Sequence, residues 1–250
     1  MGAGALLQSA QAPRRVIGVV AALSVEARCL VGRTLAPNER VQLPGSNGWI
    51  QLCGIGRGKA LRAAQSLLEA GATALLSWGT AGGLDPELSA GTLVLPQQVI
   101  GADRRVFPVD EAWRSRLEQR VSGHVATCSG LLLESLSVFT HTSQKQSLAK
   151  QPRAVAVDME SAAIAQVANR GRVPFMAVRA IADQAITPIP SSAMSAVDEY
   201  GCLQIMPLVA ALLTHPGHLP ALIALARAFR AAQKTLSTVA RHAGPGLGIE

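Results

Sequence analysis

The chain has 250 residues, 49% of them hydrophobic and 16% charged, which is enough apolar material for a full core and argues against disorder. Its net charge of +7 and sequence pI near 9.9 fit nucleic acid, a membrane surface or no special partner. Aromatic residues make up 3% and do not alternate with basic ones, so a stacking platform for single strands lacks support. The four cysteines, Cys29, Cys53, Cys128 and Cys202, form no Cys-x-x-Cys or Cys/His cluster, which argues against structural zinc and for a reducing cytoplasm.

Residues 1–15 lack a charged segment followed by an apolar one, so they read as a flexible N-terminal segment and not as a cleaved signal. Val16 to Leu23 predicts a buried strand, and Ser24 opens a helix behind it. Glu26 falls in that helix's first turn, where a carboxylate is the ordinary electrostatic choice. Trp49 to Cys53 is a second strand. Gly54-Ile55-Gly56-Arg57-Gly58-Lys59 then enters a helix over Ala60 to Ala70. Glycines at a helix start offer free N–H groups to an anion, and Arg57 and Lys59 could hold phosphate there. The glycine spacing is wrong for a dinucleotide fingerprint, and no acid follows before Asp85.

Ala74 to Trp78 predicts another strand, ending in Gly79-Thr80-Ala81-Gly82-Gly83. This run is either a plain strand-to-helix turn or a loop that brings backbone close to a ligand. Gly91 to Pro96 is a further strand, Glu111 to Val121 a helix without evident chemistry, and Gly130 to Leu133 and Leu136 to Thr140 further strand segments.

The most informative stretch runs from Ala156 to Ile186. Asp158 is a good N-cap; Met159, Ala163 and Val167 recur as a helical stripe, and Gly171 stops it. With Asp158 as cap, Glu160 takes the second helical position and is expected to stay ionised. Val173 to Ala182 reads as a buried strand followed directly by Asp183. Ligands of open α/β sheets sit beyond the carboxyl ends of strands, so Asp183 belongs at a pocket mouth with Glu160 facing it.

Pro188 and Pro190 make a loop before a helix over Ser195 to Leu213. After His215-Pro216-Gly217-His218-Leu219-Pro220, a second helical run covers Ala221 to Arg241. Leu222, Leu225, Phe229, Leu236 and Val239 share one face, opposite Arg227, Arg230, Lys234 and Arg241. This is the pattern of an interfacial membrane helix, or of a helix packed on its own domain or a dimer partner. The two prolines oppose a membrane-spanning helix.

Asp158-Met159-Glu160-Ser161, together with Val173-Pro-Phe-Met-Ala-Val-Arg-Ala-Ile-Ala-Asp183, resembles the signature of the nucleoside phosphorylase and nucleosidase superfamily. The methylthioadenosine/adenosylhomocysteine nucleosidases, futalosine hydrolases and hopanoid-associated phosphorylases are the nearest in appearance. The resemblance covers roughly residues 16–213 and leaves 214–250 as a C-terminal amphipathic extension. It implies a three-layer α/β/α domain around a central twisted mixed sheet. It also implies cleavage of a purine N-glycosidic bond, releasing adenine from a 5′-substituted adenosine without metal or cofactor, with phosphate as a conceivable co-substrate.

By that resemblance Asp183 protonates the purine, Glu160 contacts the ribose hydroxyls and Glu26 activates a water. Met159, Thr80, Ala81 and Gly82 would contact substrate, Val138 and Phe139 would face the purine, and Gly54, Gly56 and Arg57 would form a phosphate or water loop. Asp183 would need burial to raise its pKa, since an unperturbed aspartate with pKa about 3.9 is protonated in about one molecule in a thousand at pH 7. The family usually carries Ser where this chain has Ala182, and its phosphorylases an arginine where the strand here ends Ser77-Trp78. The latter, with Glu26, favours water over phosphate.

The apolar, basic C-terminal helix implies a lipid-like 5′ group, with adenosylhopane as the specific candidate and small methylthioadenosine-type substrates as the alternative. Localisation is expected to be cytoplasmic or membrane-associated, and family members are commonly dimers or hexamers. A catalytically silent nucleoside-binding or membrane-associated module is the non-enzyme alternative. Nucleic-acid binding rests on net charge alone.

Overall fold

A computed structural model describes residues 15–137, 153–183, 198–201, 217 and 219–249. The first strand, β1 (Ile17–Ala21), is buried along its whole length and lies parallel between β3 (Trp49–Leu52) and β4 (Ala74–Gly83). A strand covered on both faces must be apolar on both, which is why Ile-Gly-Val-Val-Ala shows no alternation. The other strands are β2 (Arg40–Gln42), β5 (Leu93–Val94), β6 (Gln98–Ile100), β7 (Val106–Pro108), β8 (Thr127–Cys128), β9 (Leu131–Glu134), β10 (Ala154–Asp158) and β11 (Phe175–Asp183). They join one mixed sheet of order β2-β3-β1-β4-β10-β9-β6-β7, with β11 pairing β4 and β5, and β8 pairing β5.

Helices cover both faces. Among the described residues they are α1 (Ser24–Val31), α2 (Arg57–Glu69), α3 (Glu111–Val121), α4 (Ser161–Gly171) and α5 (Leu219–His242). Successive strand residues point to opposite faces, and β4 shows the result: Ser77 meets Ser161 of α4, whereas Trp78 gives its indole N–H to the Glu26 carbonyl of α1 at 3.1 Å. Helices α2 and α4 pack on each other, and α5 packs on β11, α1 and α3. The expected three-layer α/β/α arrangement with a mixed sheet is what the chain forms.

Two boundaries differ from expectation in ways that matter. Strand β4 does not stop at Trp78 but runs through the glycine stretch to Gly83, because β11 pairs with it as far as Gly82 and β10 crosses its end antiparallel at Gly82 and Gly83. Helix α4 begins at Ser161 and not next to Asp158, so Met159 lies outside the helical stripe and is half-buried. The predicted helix over Ser195 to Leu213 and the residues Val138 and Phe139 lie outside the described residues.

Helix α5 is used unevenly. Its second half buries Ala232, Leu236 and Val239 in the core, and the segment that follows adds Ala243, Leu247 and Ile249. That segment is tied to α3, where Trp113 donates to the Leu247 carbonyl at 2.7 Å and Arg116 to the Gly248 carbonyl at 3.0 Å. The first half leaves Leu219 and Ile223 exposed beside the exposed Arg227 and Arg230. Among the described residues no helix is long and apolar enough to cross a membrane.

Candidate active site

The carboxyl ends of β1, β4, β10 and β11 converge, and three of the predicted acids meet there. Glu26 is the third residue of α1, and its Oε2 reaches back to accept the Leu23 N–H at 3.0 Å, which is half of a capping box. Its Oε1 leaves the helix altogether: it accepts both the backbone N–H and the hydroxyl of Thr80, each at 2.8 Å. The helix-end account of Glu26 therefore covers one oxygen, and Thr80 engages the other. Burial raises the Glu26 pKa, and Arg179, the Thr80 donors and the Leu23 N–H offset part of that rise. A carboxylate raised in this way is better suited to taking a proton from water near neutral pH.

Close approach requires glycine at position 79 and makes position 82 tight for any side chain. A Cβ on Gly79 would lie 2.6 Å from an Arg179 guanidinium nitrogen and 2.7 Å from the Glu26 carboxylate. On Gly82 it would lie 3.2 Å from Asp183 Oδ1. The bare backbone lets Glu26, Arg179 and Asp183 close around one short strand end. Most of this strand end is buried, but Thr80, Gly82, Met159 and Asp183 keep partial exposure. Ala81 is buried.

Glu160 occupies the N-cap of α4, with backbone angles outside the helical range, and Gly56 donates its N–H to Oε1 at 2.8 Å. The expectation that a helix start would keep it ionised needs correction. Burial, and then the nearby Asp158 charge, push its pKa up to about 7, with Arg179 and the Gly56 N–H pulling the other way. Position at the helix end is outweighed because the residue is buried and lies near the Asp158 charge.

Arg179 is the residue that the pattern reading passed over. It stands mid-strand in β11, 3% exposed, donating Nε to Asp158 Oδ2 at 2.7 Å and Nη2 to Ser77 Oγ at 2.6 Å and Ser161 Oγ at 3.0 Å. Burial alone would lower its pKa, but Asp158, Glu26 and Glu160 outweigh that and hold it charged. The signal was available: an arginine inside Phe-Met-Ala-Val-Arg-Ala-Ile can be tolerated only with a buried partner. Asp158 still accepts the Ser161 N–H at 3.2 Å, as a cap should, yet its larger duty is to neutralise Arg179.

Removing one member of a buried pair leaves the other uncompensated. Asp158→Ala is expected to cost about 3–5 kcal/mol of folding stability, read as a drop in the urea midpoint, while Asp158→Asn costs less because it keeps a hydrogen-bond acceptor. Equal stability of Asp158→Ala and the parent chain would contradict this account of Arg179.

The basic side chains of the first glycine loop have partners within the protein. Arg57 is ion-paired with Glu134 and donates to Gln166 Oε1 at 2.7 Å, and Lys59 is ion-paired with Glu199. Gly54 is buried, 3.2 Å from the Glu199 carbonyl at its would-be Cβ, and serves the chain path near residue 199.

A family model described as the phosphorylase superfamily matches residues 39–199, more than half of the chain. The chain belongs to the phosphorylase superfamily. Among superfamily relatives it is 29% identical over 203 residues to a 5′-methylthioadenosine/S-adenosylhomocysteine nucleosidase of Shewanella sediminis, covering 70% of this chain and 88% of that one. The nucleosidase of the same description from Anoxybacillus flavithermus is 31% identical over 162 residues, covering 56% of this chain and 69% of that relative. Solved superfamily structures share the fold. The Neisseria meningitidis 5′-methylthioadenosine/S-adenosylhomocysteine nucleosidase in complex with methylthio-immucillin-A aligns with a TM-score of 0.64 at 20% identity, covering 90% of this chain and 98% of that chain. The native futalosine hydrolase of Helicobacter pylori aligns with a TM-score of 0.64 at 18% identity, over 90% and 97% of the two chains.

Proposed function

We propose that this protein hydrolyses the N-glycosidic bond of a purine nucleoside and releases adenine from a 5′-substituted adenosine. The single observation that carries the choice of water over phosphate is the environment of Glu26. Its carboxylate already takes the Thr80 N–H and hydroxyl, the donors that a phosphate at the strand end would need, and it would repel an anion there. A water between Glu26 and the sugar meets no such repulsion and can lose its proton to the carboxylate.

The rest of the site fits an oxocarbenium-like transition state. Glu160 in its ionised form accepts from the ribose hydroxyls and stabilises positive charge on the sugar; Asp183 stands at the opening, over Gly82, to protonate the departing base. Arg179 keeps Asp158 and the serines in place behind these groups and does not itself reach the opening.

For the 5′ group, we infer a large, apolar substituent, with adenosylhopane as the specific candidate. The exposed Leu219 and Ile223 beside Arg227 and Arg230 support a helix end that touches an anionic lipid surface while the other half of α5 is anchored in the core. One assay addresses both readings: adenine release from adenosines with methylthio, homocysteinyl and long-chain 5′ groups, with and without phosphate, in buffer and in anionic vesicles. Phosphate-independent turnover, fastest for long-chain substituents in vesicles, is the expected result. A strict phosphate requirement would overturn the hydrolytic reading, and a preference for methylthioadenosine in buffer would return the substrate to the small-substituent class.

A further inference from the structure

Arg57 and its two partners form a clamp whose members lie far apart in the sequence. Its guanidinium reaches Glu134 at the end of β9 and Gln166 in α4; Glu134 also accepts the Ala102 N–H at 3.2 Å from the loop between β6 and β7. The Glu134 side chain is fully buried, and its second oxygen has no hydrogen-bond partner among the described residues. A buried carboxylate that is only half satisfied calls for an explanation, and its grip on Arg57 supplies one.

What Arg57 holds is the start of α2. The residue before it, Gly56, is the N-cap of α2, sits at φ +111°, where a side chain would be strained, and gives its N–H to Glu160. Glu160 in turn stands at the N-cap position of α4, the same helix that presents Gln166 further on. The clamp therefore closes a ring through Gly56, Glu160, α4, Gln166 and Arg57.

We propose that Arg57 is a positioning residue which, gripped by Glu134 and Gln166, keeps the Gly56 N–H on the Glu160 carboxylate and thereby sets the protonation state in which the free enzyme meets its substrate. Among the described residues the groups that face Glu160 are Asp158 on β10, Arg179 on β11, Glu26 on α1 and Cys53 beyond β3, and the Gly56 N–H is the one donor supplied by the α2 side. This inference rests on the nucleosidase reading for its kinetic test but not for its structural one.

The neutral variant Gln166→Ala loosens the clamp without altering charge. The acid limb of the kcat/KM profile, which reports the free enzyme, is expected to move up by about 0.5–1 pH unit in Gln166→Ala, Arg57→Ala and Glu134→Gln alike. Simple electrostatics predicts otherwise: losing the Arg57 cation would move the limb up, and losing the Glu134 anion would move it down. Arg57→Lys, a point charge that cannot bridge both partners, should give an intermediate shift, and Arg62→Ala, exposed on the same helix, none. Opposite shifts for Arg57→Ala and Glu134→Gln, or an unmoved limb in Gln166→Ala, would overturn the proposal. Amide exchange over residues 54–60 gives a readout independent of turnover. If the parent chain releases no adenine from any nucleoside, the functional reading fails, while faster exchange in all three clamp variants still supports the clamp and unchanged exchange refutes it.

Discussion

Replacing Asp183 by asparagine is expected to slow adenine release by about 10²- to 10⁴-fold, the usual range for loss of a general acid. The substitution is nearly isosteric. Asp183 ends β11 where its carboxylate packs over Gly82, and an amide fits the same space, so folding stability and the affinity for a stable nucleoside analogue should change little. What an amide cannot do is pass a proton to the base as the glycosidic bond breaks. The check is a pair of substrates: with adenine as leaving group the rate falls, whereas with a nitrophenolate, which leaves without protonation, most of the rate survives. An equal loss with both leaving groups would show that Asp183 positions the substrate and does not protonate it. Loss of stability in parallel with activity would reduce the residue to a packing role.

The strands and helices that carry the site were legible because their periodicities are local. The apolar run of β11, the first turn of α1 and the start of α4 all lie within a few residues of where pattern and capping rules put them. So do Glu26, Glu160 and Asp183. The features that were not legible depend on pairings distant in the chain. Strand β4 extends through its glycines only because β10 and β11 arrive from residues 154–183 to pair with it. Arg57 looked like an anion ligand beside its glycines, and its capture by Glu134 and Gln166 needs α2, β9 and α4 to be assembled. The state of Glu160 was misjudged for the same reason: the helix start is local, but the burial and the Asp158 charge that outweigh it are tertiary. Helix α5 combines both cases. Its amphipathic stripe was visible, whereas its division into a core-anchored half and an exposed half comes from packing on β11 and α3.

That division of labour gives the functional acids opposite requirements. Glu26 and Glu160 are both buried and both raised, and the Glu26 charge adds to the rise at Glu160, so the pocket resists carrying them ionised together. Arg179 lies between these demands as the buried cation that makes two ionised glutamates beside Asp158 tolerable. The site is thus poised, and a substrate whose sugar develops positive charge relieves the repulsion as the reaction proceeds. Protonating either glutamate removes a negative charge that the transition state needs.

Glu160→Gln puts a number on that arrangement. With Glu160 near pKa 7, kcat/KM of the parent chain should fall about tenfold per pH unit below neutrality, because the protonated acid cannot accept from both ribose hydroxyls or balance the cationic sugar. The glutamine variant should lose most of its activity and show no such limb. Its stability should move the other way. A carboxyl whose pKa is raised on folding favours the folded state while protonated, below its ordinary value of 4.5, and loses that advantage as pH climbs to about 7. The difference corresponds to roughly 3 kcal/mol, fully felt above neutral pH. Glutamine keeps an acceptor for the Gly56 N–H without carrying the buried charge. Urea unfolding at pH 8 should therefore find the inactive variant more stable than the parent, and the gap should close as pH is lowered towards 5. A variant less stable than the parent at pH 8 would mean that Glu26, and not Glu160, carries the raised proton affinity of this pocket.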